Sequence, residues 1–298
     1  MSTSVSLAPL PAPLVEEAIK AALAEDLGLA GDITTNATVG ANAVANAVIA
    51  TRRDGIVSGV QLAEAAFRML DPNVKFFTKH SDGQRVAPGD VIATIAGNAR
   101  AVLTAERVAL NFLGRMSGIA TLTRRYADAV TGTGARIADT RKTTPGLRAF
   151  EKYAVRCGGG HNHRTGLFDA VLIKDNHIVA AGGLDRAIDA ARSSAGHMVK
   201  IEVEVDTLDQ LDKVLEHKVD AVLLDNMTPA QLKDAVKRIA GRCLSEASGG
   251  VNLETVRAIA ETGVDMISVG ALTHSAPVLD LGLDFKSHTP ATKRSGSA

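Results

Sequence analysis

A dense group of basic side chains lies in the middle of the chain, between residues 141 and 174. Seven lysine or arginine residues fall in this stretch against two acidic ones, in a chain whose formal net charge is zero. They surround the glycine run Gly158–Gly160, which is followed by His161 and His163. Arginine presents a planar fork to carboxylate or phosphate oxygens, and lysine supplies a mobile point charge. The stretch predicts a site for an anion with several charges rather than a solvated basic surface. The basic residues are Arg141, Lys142, Arg148, Lys152, Arg156, Arg164 and Lys174.

A polar or small residue also ends each of six short apolar segments in the second half of the chain. Taken singly, such a residue is more often a helix cap or a surface charge. Because the carboxyl ends of parallel strands converge at one mouth of a barrel, six in sequence predict one shared active site. In chain order these residues are Arg141 with Lys142, Lys174, Glu204, Asp225, Ser248 with Gly249 and Gly250, and Gly270.

The chemical types of these strand-end residues are sorted along the chain. The first two segments end in cations, the next two in carboxylates, and the last two in small residues. Glu204 and Asp225 are hard oxygen ligands that suit Mg²⁺ or ribose hydroxyls. A loop such as Ser248–Gly250 suits a phosphate, which backbone N–H groups can bind. The pattern predicts a phosphorylated sugar carrying Mg²⁺ beside a second polyanion.

The elements that would position these residues are strands alternating with amphipathic helices from Gly134 onward. This alternation predicts an α/β fold with right-handed crossovers and a parallel sheet. Six such units with nearly continuous apolar strands favour a (β/α) barrel, complete or incomplete. No GxGxxG motif follows a strand, which argues against a doubly wound dinucleotide-binding sheet. The predicted strands lie in RIADTRK, AVLIKDN, VKIEVEVD, AVLLDNM, CLSEASGG and MISVGAL.

The preceding part of the chain, residues 13–118, predicts a separate α/β domain with an antiparallel sheet and helices over one face. Pro13 suits the first turn of a helix, and Gly31–Thr35 is predicted as a loop. Asp54-Gly55 predicts a hairpin turn between two strands. Residues 74–97 are similar to a biotinyl or lipoyl carrier hairpin, but they lack the lysine that such carriers modify.

Residues 101–131 predict two consecutive helices. In the first, Arg107, Leu110, Asn111 and Gly114 share one face at three- and four-residue spacing. Such a face suggests a contact surface. The alternative is a surface arginine that pairs with Glu106 or Asn111.

Composition excludes several classes of protein. A net charge of zero argues against nucleic-acid and membrane-surface proteins, which need a basic excess. The two cysteines fit a reducing compartment, and no apolar run approaches the roughly 18 residues of a membrane span. We expect a soluble cytoplasmic protein with a flexible leader over residues 1–12, an N-terminal domain over 13–118, a catalytic barrel over 119–284 and a disordered tail over 285–298.

Long motifs, in order, give the chain a family resemblance. The segments ERVALNFLGRMSGIAT, TRKTTPGLR, GGGHNHRTGL, LIKDNHI, EVEVD, LLDNM, EASGGV and ISVGALTHS resemble those of the quinolinate phosphoribosyltransferase family. The resemblance extends from Val15 to Leu283. It implies an α/β open-faced sandwich followed by an incomplete α/β barrel. It also implies a homo-oligomer, a dimer or a hexamer, in which each active site is shared across a dimer interface.

The resemblance implies a reaction and a set of roles. Quinolinate would receive the phosphoribosyl group of 5-phosphoribosyl-1-pyrophosphate, with loss of pyrophosphate and CO₂, giving nicotinate mononucleotide for NAD biosynthesis. Mg²⁺ would be held by Glu204 and Asp225, which with Lys142 would be the catalytic residues. Arg107 would reach the quinolinate of a neighbouring subunit. The other residues implied to bind substrate are Thr140, Arg141, His163, Arg164, Lys174, Ser248, Gly249, Gly250, Val269, Gly270, Ala271 and His274.

Two rival functions are weighed against this one. The first is a related transferase that does not decarboxylate. Its monocarboxylate substrate would need fewer cations than a dicarboxylate needs, whereas Arg107, Arg141, Arg164 and Lys174 are all present. A non-catalytic binding protein on the same barrel could lose Glu204 or Asp225, and this chain has both. Cys157 is interpreted as a packed thiol, because the implied reaction needs no covalent nucleophile.

Overall fold

The computed structural model describes residues 7–285. Residues 1–6 of the predicted leader and 286–298 of the predicted tail lie outside this range. The chain divides into two compact units. The antiparallel unit contains residues 9–114 and 279–285, and the parallel unit contains residues 7–8 and 115–278.

The elements are as follows in chain order. The first part of the chain forms α1 (Ala12–Leu27), α2 (Ile33–Thr38), β1 (Val44–Thr51), β2 (Gly55–Ile56), α3 (Val60–Leu70), β3 (Lys75–Thr78), β4 (Arg85–Val86), β5 (Val91–Asn98) and α4 (Ala99–Ala129). The second part forms β6 (Arg136–Ala138), α5 (Arg148–Cys157), β7 (Val171–Ile173), α6 (Asp175–Ala181), α7 (Leu184–Ser194), β8 (Ile201–Val205), α8 (Leu208–Val214), β9 (Ala221–Asp225), α9 (Pro229–Ile239), β10 (Leu244–Ser248), α10 (Val256–Ala260), β11 (Met266–Ser268), α11 (Ala271–His274) and β12 (Leu281–Phe285).

The antiparallel unit is built on a four-stranded sheet with the order β12-β1-β5-β3. In β1, Ala45, Ala47 and Ile49 are buried at alternate positions, as a strand with one covered face requires. Phe67 of α3 and Phe76 of β3 have ring centroids 6.0 Å apart, which places α3 against this sheet. The predicted antiparallel sheet is confirmed.

The hairpin predicted at Asp54-Gly55 is wrong. Strand β1 pairs with β5 on one edge and β12 on the other, so neither edge is open to β2. Strand β2 pairs with β4 instead. The dipeptide marks the start of a strand in a second small sheet, because the pairing partner is chosen by the tertiary fold and not by the turn residues.

Two further local predictions fail in this region. The predicted loop Gly31–Thr35 contains the start of α2, since the Asp32 carboxylate accepts a hydrogen bond from the Thr35 N–H at 2.8 Å and caps the helix. The two helices predicted over residues 101–131 are one helix, α4. Gly118 does not end a helix; a Cβ there would lie 2.0 Å from the Pro277 carbonyl oxygen, so the residue permits close backbone packing.

The parallel unit contains all six predicted strands in one parallel sheet with the order β6-β11-β10-β9-β8-β7. In β9, Val222, Leu223 and Leu224 are buried in succession, the pattern of a strand covered on both faces. Strands β6 and β7 are the two edges, so the sheet is an incomplete barrel, as predicted. Capping boxes begin two of its helices, at Thr207 of α8 and at Thr228 of α9, each with a glutamine three residues later.

The last strand differs from the predicted domain division. Leu281–Phe285 pairs with β1 and belongs to the antiparallel unit, although the sequence placed residues up to 284 in the barrel. Among residues 7–285, no helix is both long and apolar enough to cross a membrane.

Candidate active site

The carboxyl ends of the six parallel strands surround a cavity of about 410 Å³. Each of the six strands, or the residues directly after it, contributes side chains to the wall. The lining residues are Thr140, Arg141, Lys142, His163, Arg164, Leu172, Lys174, Glu204, Leu223, Asp225, Glu246, Ser248 and Ser268.

Strand register sets the spacing of the acidic and small residues around this cavity. Asp225 of β9 and Ser248 of β10 are directly paired, and Glu204 of β8 is paired with Leu223 of β9. Because side chains alternate between the faces of a strand, Glu246 lies on the same face as Ser248. The convergence of strand ends that the sequence predicted is therefore present.

Two arginines form the cationic side of the cavity. The Arg164 side chain donates to the Ala170 carbonyl oxygen at 3.3 Å, while the buried Nε of Arg141 has no hydrogen-bond partner among the described residues. Burial lowers the pKa of Arg164, and the positive charge of Arg141 lowers it further. An anion bound near both guanidinium groups would offset the repulsion between them.

Lys174 and Glu204 form an ion pair at the mouths of β7 and β8. The Glu204 side chain is 14% exposed and that of Lys174 is 43% exposed. Lys174 precedes α6, and its backbone N–H donates to His177 Nδ1 at 3.0 Å, which fixes the start of that helix. Each group therefore has a protein partner that a charged ligand must compete with.

Asn226 links the ends of β9 and β10. Its side-chain amide donates to Asp225 Oδ2 at 2.6 Å, and its backbone N–H donates to the Ser248 carbonyl oxygen at 2.9 Å. Gly249 adopts φ +94°, and a Cβ there would lie 2.1 Å from Asn226 Oδ1. Glycine is required at this position by both conformation and space.

Lys142 lies beside the loop after β11. A Cβ on Gly270 would be 3.1 Å from Lys142 Cδ and 3.2 Å from His274 Nε2, so these three residues are neighbours. The Thr273 hydroxyl donates to the Lys142 carbonyl oxygen at 2.7 Å and anchors the lysine backbone. The Lys142 side chain therefore lies next to a stretch of backbone at Gly270 that no side chain covers.

A buried ion pair holds the loop that carries His163. Lys152, 3% exposed, pairs with Asp139, 0% exposed, and also donates to the His163 carbonyl oxygen at 3.1 Å. Asp139 accepts from the His163 N–H at 2.9 Å and from the Asn162 amide at 2.6 Å. Burial raises the pKa of Asp139, and the Lys152 charge opposes this.

The His163 imidazole has protein partners on both nitrogens. Nε2 lies 2.9 Å from Glu202 Oε2, and Nδ1 accepts from the Arg164 N–H at 2.8 Å. Glu246 Oε1 is 3.6 Å from the same Nε2. The sequence predicted a direct contact between His163 and substrate, whereas here both ring nitrogens are engaged within the protein.

Sequence reasoning missed Glu202 and Glu246. Their carboxylates and the His163 imidazole each offer one atom of a type that can bind a metal ion, and these three atoms lie within 4.8 Å of one another. A signal was available in the strand segments IEVEV and LSEAS, where each glutamate stands two residues before a predicted site residue. That period places it on the same face of the strand, one step deeper in the barrel.

Some predicted residues do not line the cavity. Arg107 lies on α4 in the antiparallel unit, where its side chain is exposed. Val269 is buried, and its N–H donates to the Ala138 carbonyl oxygen at 2.9 Å. The remaining ones follow strands that do contribute to the wall; they are Gly249, Gly250, Gly270, Ala271 and His274.

Comparison with known proteins assigns this arrangement. Residues 32–117 match the sequence model "Quinolinate phosphoribosyl transferase, N-terminal domain", and residues 119–284 match "Quinolinate phosphoribosyl transferase, C-terminal domain". The chain belongs to the quinolinate phosphoribosyltransferase family.

Individual members of the family are similar over nearly the whole chain. The nicotinate-nucleotide pyrophosphorylase [carboxylating] of Mycobacterium leprae (strain TN) is 47% identical over 90% of this chain and 96% of its own length. The chloroplastic enzyme of that name from Arabidopsis thaliana is 46% identical, covering 89% of this chain and 81% of its own. The structure of the nicotinate-nucleotide pyrophosphorylase from Francisella tularensis superposes with a TM-score of 0.88 at 38% identity, covering 94% of this chain and 99% of that one.

Proposed function

We propose that this protein transfers the phosphoribosyl group of 5-phosphoribosyl-1-pyrophosphate to quinolinate and releases pyrophosphate and CO₂, giving nicotinate mononucleotide for NAD biosynthesis. The observation that carries the proposal is the polarity of the cavity. Arg141 and Arg164 line the cavity, with no carboxylate partner for Arg141 among the described residues, and the carboxylates Glu204 and Asp225 line it as well. A dianionic acid suits the arginines, and a ribose that becomes positively charged suits the carboxylates.

Quinolinate is held by charge-assisted hydrogen bonds from Arg141, Arg164 and Lys174. Since Lys174 starts in an ion pair with Glu204, it exchanges that partner for a substrate carboxylate. His163 and Thr140 shape the same wall. Several fixed cations on one dicarboxylate orient the ring nitrogen toward the ribose carbon, which is a large part of what this reaction needs.

The phosphoribosyl substrate occupies the part of the cavity next to Lys142 and Ser248. Lys142 meets its phosphate or pyrophosphate oxygens, and the 5′-phosphate lies along Ser248, Gly249 and Gly250. The loop of Val269, Gly270 and Ala271, with His274, adjoins the same phosphates. Gly249 lacks the Cβ that would collide with Asn226, so the backbone of this turn can stay close to a ligand.

The carboxylates Glu204 and Asp225 are the residues that would hold Mg²⁺. They fit the ion, because both are oxygen donors on neighbouring strands and both line the cavity. Magnesium commonly binds one or two carboxylates together with substrate phosphates. When bound, it neutralises charge on the departing pyrophosphate. The carboxylates themselves stabilise positive charge on the ribose as the bond to pyrophosphate breaks.

We also propose that the site is completed by a second copy of the chain, with Arg107 reaching the quinolinate bound by its neighbour. The exposed position of Arg107 on α4 supports this, because an unburied arginine is available to another subunit. A cytoplasmic location is proposed as well, since Cys157 and Cys243 are both thiols and not disulfide sulfurs.

Release of CO₂ from carboxyl-labelled quinolinate by the purified protein tests the reaction. We expect release only when 5-phosphoribosyl-1-pyrophosphate and Mg²⁺ are both present, with one nucleotide formed per CO₂. Binding of both substrates without release would indicate a non-decarboxylating transferase or a binding protein. The Asp225→Asn variant is the matched control, because it keeps the size of the side chain and removes the charge.

A further inference from the structure

The carboxyl group of Glu246 lies at the base of the cavity. Glu246 is one of the residues that line the cavity, although only 5% of its surface is exposed. Oε1 has no hydrogen-bond partner among the described residues. A buried, unpartnered carboxyl oxygen facing a substrate cavity is costly to maintain, so its chemistry needs an explanation.

The surrounding hydrogen bonds decide which group holds a proton. Because His163 Nδ1 accepts from the Arg164 N–H, the imidazole hydrogen resides on Nε2, which donates to Glu202 Oε2. In this arrangement His163 is neutral and Glu202 is the accepting carboxylate, because a hydrogen on Nδ1 would point at the Arg164 N–H. Burial lowers the pKa of His163, but the hydrogen bond to Glu202 and the charge of Glu246 raise it overall, so these two carboxylates compete for the same imidazole. Glu246, with Oε1 3.6 Å from the same Nε2, would then be a second buried negative charge without a counter-ion. Protonation of Glu246 would remove this unfavourable charge.

The pKa of Glu246 agrees with a proton on its carboxyl group. Burial raises the pKa of Glu246 to about 7, and the negative charge of Glu202 adds to the effect, whereas a positive charge on His163 would oppose it. Ser268 of β11 also opposes the shift through a hydrogen bond, and Asp139 adds to it from beyond β6. These are the groups with the largest effects on the pKa of Glu246. A protonated Glu246 also avoids repelling an incoming dicarboxylate.

We propose that Glu246 is a catalytic residue that donates a proton to carbon 2 of the pyridine ring as the adjacent carboxylate leaves. The inference rests on the proposed function. In this step the bond between carbon 2 and the carboxylate breaks, CO₂ departs and the electron pair stays on carbon 2, where the positive ring nitrogen stabilises it. The carboxyl proton of Glu246 forms the new C–H bond, and the resulting carboxylate takes a proton from water after product release.

Other cavity groups are poorer donors for this step. Arginine does not give up its proton in proteins, which excludes Arg141 and Arg164. Lys174 is engaged with Glu204 or with a substrate carboxylate. His163 has its only hydrogen directed at Glu202. An acid with a pKa near the working pH is effective in general acid catalysis, and such groups contribute roughly 10²–10⁴-fold in rate.

The reverse half of the step gives a direct test. Nicotinate mononucleotide is incubated with the protein and Mg²⁺ in D₂O, and loss of the carbon 2 hydrogen is followed by proton NMR. We expect the wild type to accelerate this exchange and Glu246→Gln, which is nearly isosteric with a protonated glutamate, to slow it by about 100-fold or more. Equal exchange by the two proteins would overturn the proposal.

Controls separate this proposal from the proposed function and from a structural role. If the wild type releases no CO₂ from quinolinate, the proposed function fails, whereas CO₂ release without exchange overturns only the role of Glu246. We expect the dissociation constant of Glu246→Gln for quinolinate, measured by calorimetry, to lie within about threefold of the wild-type value. This corresponds to a difference in binding free energy of less than about 1 kcal/mol. Joint loss of binding and exchange would assign Glu246 to structure and overturn its role as acid.

Discussion

Lys174 and Glu204 pair with each other across the ends of neighbouring strands β7 and β8. The sequence assigned them to different ligands, the lysine to quinolinate and the glutamate to ribose and Mg²⁺. A ligand that takes either residue as its partner must therefore compete with their ion pair.

This pair predicts opposite effects of two substitutions on quinolinate binding. Lys174→Ala should weaken quinolinate binding more than binding of the phosphoribosyl substrate, since it removes a cation from the dicarboxylate. Glu204→Gln should tighten binding of quinolinate alone by about two- to fivefold, because a competing partner worth up to about 1 kcal/mol is lost, while turnover falls. Calorimetry measures both. Weaker quinolinate binding by Glu204→Gln would show that the pair does not restrain Lys174.

Subunit mixing tests the role proposed for Arg107. Arg107→Ala and Lys142→Ala should each be inactive alone, because each removes a cation from every site of a homo-oligomer. After subunit exchange, hybrid dimers contain one site with both residues intact, so up to about a quarter of wild-type activity is expected. Native mass spectrometry establishes that exchange has occurred. Absence of recovery in exchanged samples would place Arg107 in the site of its own subunit, and activity of Arg107→Ala alone would place it outside the site.

The Glu246 proposal predicts two opposite pH dependences. Burial raises the pKa of Glu246 to about 7, so its acid form is lost as pH rises through that value. Decarboxylation in single turnovers should therefore slow above about pH 7, whereas carbon 2 exchange in the product, which needs the carboxylate, should quicken over the same range. Glu246→Gln should show neither limb. Parallel changes in both rates would point to another titrating group.

The buried ion pair behind His163 predicts a large loss of stability. Lys152→Ala leaves Asp139 buried without its cation and should lower the free energy of unfolding by about 3–5 kcal/mol. Lys200→Ala is the matched control, because Lys200 also pairs with an aspartate, Asp220, at 2.5 Å, but its side chain is 75% exposed. That variant should lose about 1 kcal/mol or less. Urea unfolding compares the two, and equal losses would contradict the assignment of the difference to burial.

Local pattern was sufficient for the parallel unit. The apolar runs, the capping boxes at Thr207 and Thr228, and the alternation of strands and helices all depend on residues within a few positions of one another. Pattern was insufficient where a partner had to be chosen. The Asp54-Gly55 turn did not join β1 to β2, because β5 and β12 occupy both edges of β1. Strand β12 comes from the other end of the chain, beyond the reach of any local signal.

The sequence by itself determined which charged residues stand at the ends of the parallel strands, since strand direction alone brings those ends together. It also determined the family, through long motifs in order. Only the tertiary structure decided how those charges are paired. The contacts of Lys174 with Glu204, and of His163 with Glu202 and Glu246, depend on the register of strands far apart in the chain. Whether a buried carboxyl such as Glu246 is an acid depends on the charges and hydrogen bonds around it, and these exist only in the folded protein.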